Sequence, residues 1–189
     1  MELLPFKGHM IPGLKFKEYC VWVLNWSDTP NTFKRMTEIW ILEYDGKKVC
    51  YLSPYESKSV FQKYHRFDEI IEADINISET NDGITIHVNT EEKETLLLNL
   101  KFKKSLKYYF INFFIQHGNK NKIGEKGKTE TGAFYHNIPE KIISIAVDKA
   151  EFNGNSMKLI NKLHLKLDLG DGQASKDPII NYCTHMLEK

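Results

Sequence analysis

Thr37-Glu-Ile-Trp-Ile-Leu-Glu-Tyr44 and Lys47-Lys-Val-Cys-Tyr-Leu52 flank the pair Asp45-Gly46. Asp-Gly between two runs of β-formers signals a two-residue hairpin, because both residues tolerate the positive φ of a type I′ turn. A short, mainly polar helix over 56–66 follows Ser53-Pro54 and runs into Gln62-Lys-Tyr-His-Arg-Phe67. Then comes period-two alternation: Ile71, Ala73, Ile75 and Ile77 share one face, and Glu72, Asp74 and Asn76 the other. After the turn Asn81-Asp-Gly83, Ile84, Ile86 and Val88 oppose Thr85, His87 and Asn89. The charged tip Glu91-Glu92-Lys93-Glu94 leads to Leu96, Leu98, Leu100 and Phe102, which complete an apolar wall. A hairpin, one helix and an antiparallel meander, in that order, restrict the fold far more than any motif restricts the chemistry.

Outward from this stretch, Tyr19–Trp26 reads as a strand apolar on both faces, as does Ile39–Leu42. Such strands are covered on both sides. Residues 1–18, with Pro5, Gly8, Pro12 and Gly13, read as an irregular arm, and 19–189 as a single barrel domain. Ser105 is placed to cap a helix carrying Leu106, Tyr109, Phe110, Phe113, Phe114 and His117 and stopping at Gly118. Helical spacing of Tyr108, Tyr109, Phe110, Phe113 and Phe114 predicts core packing, with an aromatic excess left for a pocket or a subunit contact. A polar loop over 118–132 follows, then a strand at Lys141–Val147. Alternating Met157, Leu159, Leu163, Leu165, Leu167 and Leu169 predict a long strand, and Pro178–His185 closes the chain. The expected fold class is β-rich α+β: an antiparallel barrel, closed or nearly so, with two packed helices.

With 189 residues, 41% hydrophobic and 27% charged, the chain is long enough to bury a core and is unlike a disordered segment. The net charge of +1 gives no reason to expect nucleic acid or an anionic membrane as a dominant partner, and no apolar run approaches the ~20 residues of a membrane span. Met1–Lys7 lacks the features of a secretory signal, and Cys20, Cys50 and Cys183 are odd in number and far apart. These features predict reduced thiols in a cytoplasmic protein. The seven histidines show no ligand spacing, so neither a metal nor a cofactor is expected. Asn119–Lys128 has glycines and lysines without the Gly-Lys-Ser/Thr ending of a phosphate loop.

The order of elements resembles the acetoacetate decarboxylase-like superfamily, and within it a branch of short barrel proteins. The residues that carry the resemblance are Thr37–Pro54, the helix leading into Lys63-Tyr-His-Arg-Phe67, the Asp-Gly meander, the aromatic helix before a long loop, Ala150–Gly154 and Pro178–His185. The resemblance implies a cavity in which a lysine forms an imine with a β-keto acid, its pKa lowered by desolvation and a neighbouring cation. Lys63 is the position nearest that lysine, but Tyr64, His65 and Arg66 follow where the family has a second lysine. The family also brings carboxylates from preceding strands, where Glu38 and Glu43 stand here.

The candidate catalytic residues are Lys63, Glu38 and His65. Lys63 would be the imine-forming amine, and Glu38 or His65 would move protons. The plainer readings are a solvated Lys63, and His65 and Arg66 complementing a helix C-terminus. Glu38 and Glu43 lie on opposite faces of one strand. If the Glu38 face points inward, desolvation raises its pKa; if outward, it is a strand-edge charge. Trp40, Tyr64, Arg66, His87, Phe134 and Tyr135 are the candidate ligand-binding residues, the last two within Thr129–His136, whose composition suits a lid over a barrel mouth. The first expectation for function is a barrel binding a small, largely apolar, carbonyl- or carboxylate-bearing molecule in its interior. The second is an imine-forming lyase acting through Lys63. The third is an oligomer-forming module whose aromatic helix makes the contact, so a homo-oligomer is among the expected partners.

Overall fold

A computed structural model describes residues 2–91, 94–119, 122–160 and 167–189. In chain order the elements are β1 (Leu3–Lys15), β2 (Tyr19–Asp28), β3 (Met36–Glu43), β4 (Lys48–Ser53), a 3-10 turn (Tyr55–Ser57) running into α1 (Lys58–Tyr64), β5 (Glu69–Glu72), β6 (Asp74–Glu79), β7 (Gly83–Asn89), β8 (Glu94–Lys103), α2 (Leu106–His117), β9 (Glu125–Lys128), β10 (Phe134–Phe152), β11 (Asn155–Ser156) and β12 (Ile179–Glu188). The strands form one sheet in the order β5-β4-β3-β2-β1-β12-β10-β8-β7-β6, with β9 and β11 paired to β10. Its two end strands, β5 and β6, are consecutive in the chain with only Ala73 between them, and the Ala73 N–H donates to the Leu52 carbonyl at 3.3 Å. The sheet therefore curls into a nearly closed barrel.

The expected β-rich α+β class with two helices is the one observed. The pairing of β4 with β5 is parallel, and the other pairings described are antiparallel. A parallel neighbour needs a crossover, and α1 with its flanking turn supplies it. The alternating run at 69–79 is accordingly split at Ala73, half pairing with β4 and half with β7.

Residues 1–18 depart from the irregular arm expected of them. Leu3–Lys15 is a central strand, hydrogen-bonded to β2 on one side and β12 on the other. The Pro and Gly residues mark irregularities within the strand: the register shifts between Lys7 and Gly8 and again between Ile11 and Leu14, across Pro12 and Gly13. At Gly8 a Cβ would lie 1.9 Å from the Asn25 carbonyl oxygen, so the close approach of β2 requires glycine. Further along, the polar loop contains β9, and Lys141–Val147 is the middle of the 19-residue β10. Of the expected strand at 157–169, Leu163 and Leu165 lie outside the described residues. The described parts make only isolated bridges, Phe16 to Leu159 and Leu169 to Asp171. The hairpin-tip residues 92–93 likewise lie outside the described residues.

Strands β2 and β3 explain why their sequences are apolar on both faces: each face belongs to a different core. Val21, Val23, Ile39 and Ile41 join Ile84, Ile86, Val88, Leu96, Leu98 and Leu100 of the meander in an aliphatic cluster that fills the barrel. Trp22, Leu24, Trp26, Trp40 and Leu42 point the other way and pack with Phe6, Met10, Phe61, Tyr64 and Tyr135.

Candidate ligand-binding site

A cavity of about 320 Å³ lies within the second, aromatic core. None of the residues that fill the barrel lines it. This corrects the expectation of a cavity in the barrel interior: the aliphatic side chains close that space, and the void lies on the opposite face of β1–β3 and β12. α1 and the segment 124–135 also contribute to its wall. All three tryptophans of the chain, Trp22, Trp26 and Trp40, are in the wall, with Phe6, Leu24, Met36, Phe61, Tyr64 and Tyr135.

Glu38 sits at the centre of the polar part of this wall. Position 38 shares the face of Trp40 on β3, and the strand alternation turns both inward, leaving Glu38 only 2% exposed. The indole Nε1–H of Trp26 donates to Glu38 Oε1 at 3.2 Å, and that of Trp40 to Oε2 at 3.0 Å. Burial raises the Glu38 pKa, opposed by the field of His65 and by the two indole donors, with Glu130 adding to the rise. The inward alternative for Glu38 is thus the one realised.

Trp40 also carries His65, whose ring lies edge-on at 4.6 Å between centroids. His65 Nδ1 is 2.7 Å from Glu130 Oε2, and Lys48 Nζ is 3.2 Å from Glu130 Oε1, with the Glu130 side chain 4% exposed. A carboxylate only accepts, so this contact puts the imidazole hydrogen on Nδ1. Thr131 Oγ1 donates to the Lys63 carbonyl at 2.7 Å, tying the 129–136 segment to the end of α1. Thr129 and Tyr135 of that segment line the cavity.

On the far wall, His185 of β12 is stacked between Trp26 and Tyr135, at 5.6 and 5.4 Å. Burial, helped by His65 and His136, lowers its pKa to about 3, so the ring is neutral at pH 7. Its Nδ1 is buried with no hydrogen-bond partner among the described residues; the same is true of Asn181 Oδ1, Asn137 Oδ1 and Trp22 Nε1. All four residues line the cavity. Buried polar atoms are paired as a rule, so these unpaired atoms mark the wall around this void as unusually polar.

Of the nine sequence candidates, Glu38, Trp40, Tyr64, His65 and Tyr135 line the cavity. The other four do not. Lys63 is exposed: on α1, Phe61 and Tyr64 take the inward face, which turns residue 63 to solvent, where an ammonium is best hydrated. Arg66 is exposed beyond the helix end. His87 stands on the outer, polar face of β7, opposite the buried Ile86 and Val88. Phe134 is half-buried at the start of β10, its N–H donating to Glu188 Oε2 at 2.9 Å. Among the described residues no lysine lines the cavity, so the imine chemistry expected of Lys63 has no amine there.

Sequence reasoning missed Trp22, Trp26, Glu130, Asn181 and His185. The tryptophans had a signal: Trp22, Leu24 and Trp26 share a face by period two, with Trp40 opposite Trp22 across the hairpin. Glu130, Asn181 and His185 had none, because only the closure of β12 brings Asn181 and His185 to this wall and only the 129–136 segment sets Glu130 against His65. The three cysteines are free and buried, with thiol pKa values pushed up by burial, Cys20 to about 12. Among the described residues no cluster of three His, Cys, Asp or Glu is placed to hold a metal ion.

No protein-family model and no curated protein matches the chain. Among solved structures, one described as structural studies of acetoacetate decarboxylase matches 99% of this chain and 87% of its own, at 10% identity and a TM-score of 0.48. The acetoacetate decarboxylase of Legionella pneumophila matches 98% of this chain and 84% of its own, at 10% identity and a TM-score of 0.47.

Proposed function

We propose that this chain is a binding protein for a small, mainly apolar molecule bearing one carbonyl or carboxyl group, held in the aromatic cavity beside Glu38. The observation that carries this reading is a single buried carboxyl, fixed by two indole N–H groups, in the wall of a cavity of about 320 Å³. That volume lies at the lower end of small-molecule sites, which are typically apolar with a few placed polar groups. A raised pKa keeps a proton on Glu38 into a higher pH range, which offers a ligand carbonyl an O–H donor. Asn181, Asn137 and His185 supply further unpaired polar atoms, while Trp40, Tyr64 and Tyr135 supply the apolar walls. The buried reduced thiols fit a reducing compartment such as the cytoplasm.

The test is titration of intrinsic fluorescence, because all three tryptophans line the cavity and report its filling. A panel of short alkyl ketones, aldehydes and carboxylic acids is added to the wild type, Leu24→Phe and Glu38→Gln. Saturable quenching by at least one class is expected. It should be abolished when Phe occupies the void and weakened about tenfold or more in Glu38→Gln, as for loss of one buried hydrogen bond. No saturation across the panel, or equal binding by all three proteins, defeats the proposal.

A further inference from the structure

Helix α2 wears its apolar stripe on the outside. Asn112 faces the barrel, its side-chain amide donating to the Ile142 carbonyl and accepting from the Ile142 N–H, both at 2.8 Å, while Tyr108 and Ile115 are buried. Leu106, Tyr109, Phe110, Phe113 and Phe114 are 74, 67, 53, 51 and 68% exposed. They recur at the i, i+3, i+4, i+7, i+8 spacing that normally faces a core, so the sequence expectation of core packing is reversed. A polar residue has taken the inner face because the upper part of β10 offers backbone groups there to satisfy.

Charge is as one-sided as hydrophobicity. From Thr95 to Gly124 the chain holds Lys101, Lys103, Lys104, Lys107, Lys120 and Lys122 and neither Asp nor Glu. The overall charge of +1 hides this segment, because the rest of the chain is acidic on balance. Lys101 is paired with Asp148 and Lys107 with Asp177, whereas Lys103, Lys104 and Lys122 make no ion pair among the described residues. They bracket the helix, two just before its first turn and one just after its last.

We propose that α2 docks this protein on an anionic lipid surface, its aromatic stripe lying in the headgroup region and the bracketing lysines against the lipid phosphates. A helix of 12 residues, lying flat and flanked by lysine, is the form of an interfacial anchor, and no helix described is long and apolar enough to cross a membrane. A second copy of the chain fits less well. The helix is about 18 Å long and 10 Å wide, a footprint far short of the roughly 800 Å² each partner contributes to a stable interface. Two copies meeting there would also set lysines against lysines, whereas anionic lipid attracts each of them. This inference is independent of the ligand proposal.

Vesicle flotation tests it, using phosphatidylcholine alone and phosphatidylcholine with phosphatidylglycerol, at low and high salt. Wild type, Phe110→Ser/Phe114→Ser and Lys103→Glu/Lys104→Glu are compared, all on exposed positions outside the cavity, with thermal unfolding as the fold check. Wild type should float with the anionic vesicles at low salt, and each double variant should lower the bound fraction about tenfold. Absence of flotation, or equal flotation with neutral vesicles, overturns the proposal. So does self-association in sedimentation velocity that the phenylalanine pair removes while vesicles bind nothing, which would assign the face to a second copy.

Discussion

The two faces of the β2–β3 hairpin are one backbone with two kinds of core. On one face Val21 and Val23 pair with Ile41 and Ile39, and short branched side chains from the meander fill the barrel. On the other, Trp22 stacks on Trp40 at 5.7 Å and 21°, and the wall encloses a void. The difference is one of side-chain shape. Branched aliphatic groups interdigitate to crystal-like density, whereas large planar rings held by their N–H groups to a carboxyl cannot close every gap. Packing for stability and packing for a ligand are thus divided between alternate residues of the same strands.

The largest test of that division is truncation. Ile86→Ala, at a fully buried position in the aliphatic core, should lower unfolding stability by about 3–4 kcal/mol in urea denaturation, since it opens a cavity where none exists. Leu24→Ala, on the wall of an existing cavity, should cost less, about 1–2 kcal/mol. Equal costs would erase the distinction. Enlargement sharpens it with smaller effects: Ile86→Phe should destabilise by about 1–3 kcal/mol, and Leu24→Phe by under about 1 kcal/mol, because only the second has space to enter.

Acidity separates two residues of the aromatic face by sign. His185 has a folded-state pKa near 3 against an ordinary 6.5, so between those values the unfolded chain binds a proton that the folded protein does not. Its contribution to stability is present above about pH 6.5 and is lost as pH falls towards 3. Glu38 has the opposite sign: its folded pKa lies above 4.5, and its contribution is lost as pH rises from there through the raised value. Denaturation midpoints at pH 4, 5, 6 and 7 should therefore fall less steeply with acid in His185→Phe than in wild type, and more steeply in Glu38→Gln. A His185→Phe profile parallel to wild type would mean that the imidazole is not held neutral. The smallest effect is reserved for the outer helix face, where Phe114→Ser should shift stability by no more than about 0.5 kcal/mol in the same assay.

Local physics made much of this legible in the chain. Asp45-Gly46 placed a turn, but not its two-residue type I′ form: of the pair only Gly46 has a positive φ, 106°, and the Glu43 N–H donates to the Lys47 carbonyl across three residues. Period-two alternation placed β6 to β8 and which of their faces is apolar. Strands apolar on both faces meant cover on both sides, which is what β2 and β3 have. What failed were inferences about direction. Pro and Gly in residues 3–15 looked like loop punctuation, although β1 absorbs them as bulges because strands on both sides hold it. The α2 stripe looked like core, and of the two readings of Lys63, cavity amine or solvated lysine, the solvated one is realised.

The sequence by itself determined the hairpin, the meander, the two helices and their order, and which of their side chains share a face, because backbone sterics and side-chain periodicity act over a few residues. Only the tertiary structure decided which face meets what. It curled the sheet at Ala73, brought β12 beside β1, and so carried His185 and Asn181 to a wall shared with Glu38, more than a hundred residues earlier in the chain. Sheet closure and the burial of an unpaired polar atom are properties of long-range packing, and no local pattern encodes them.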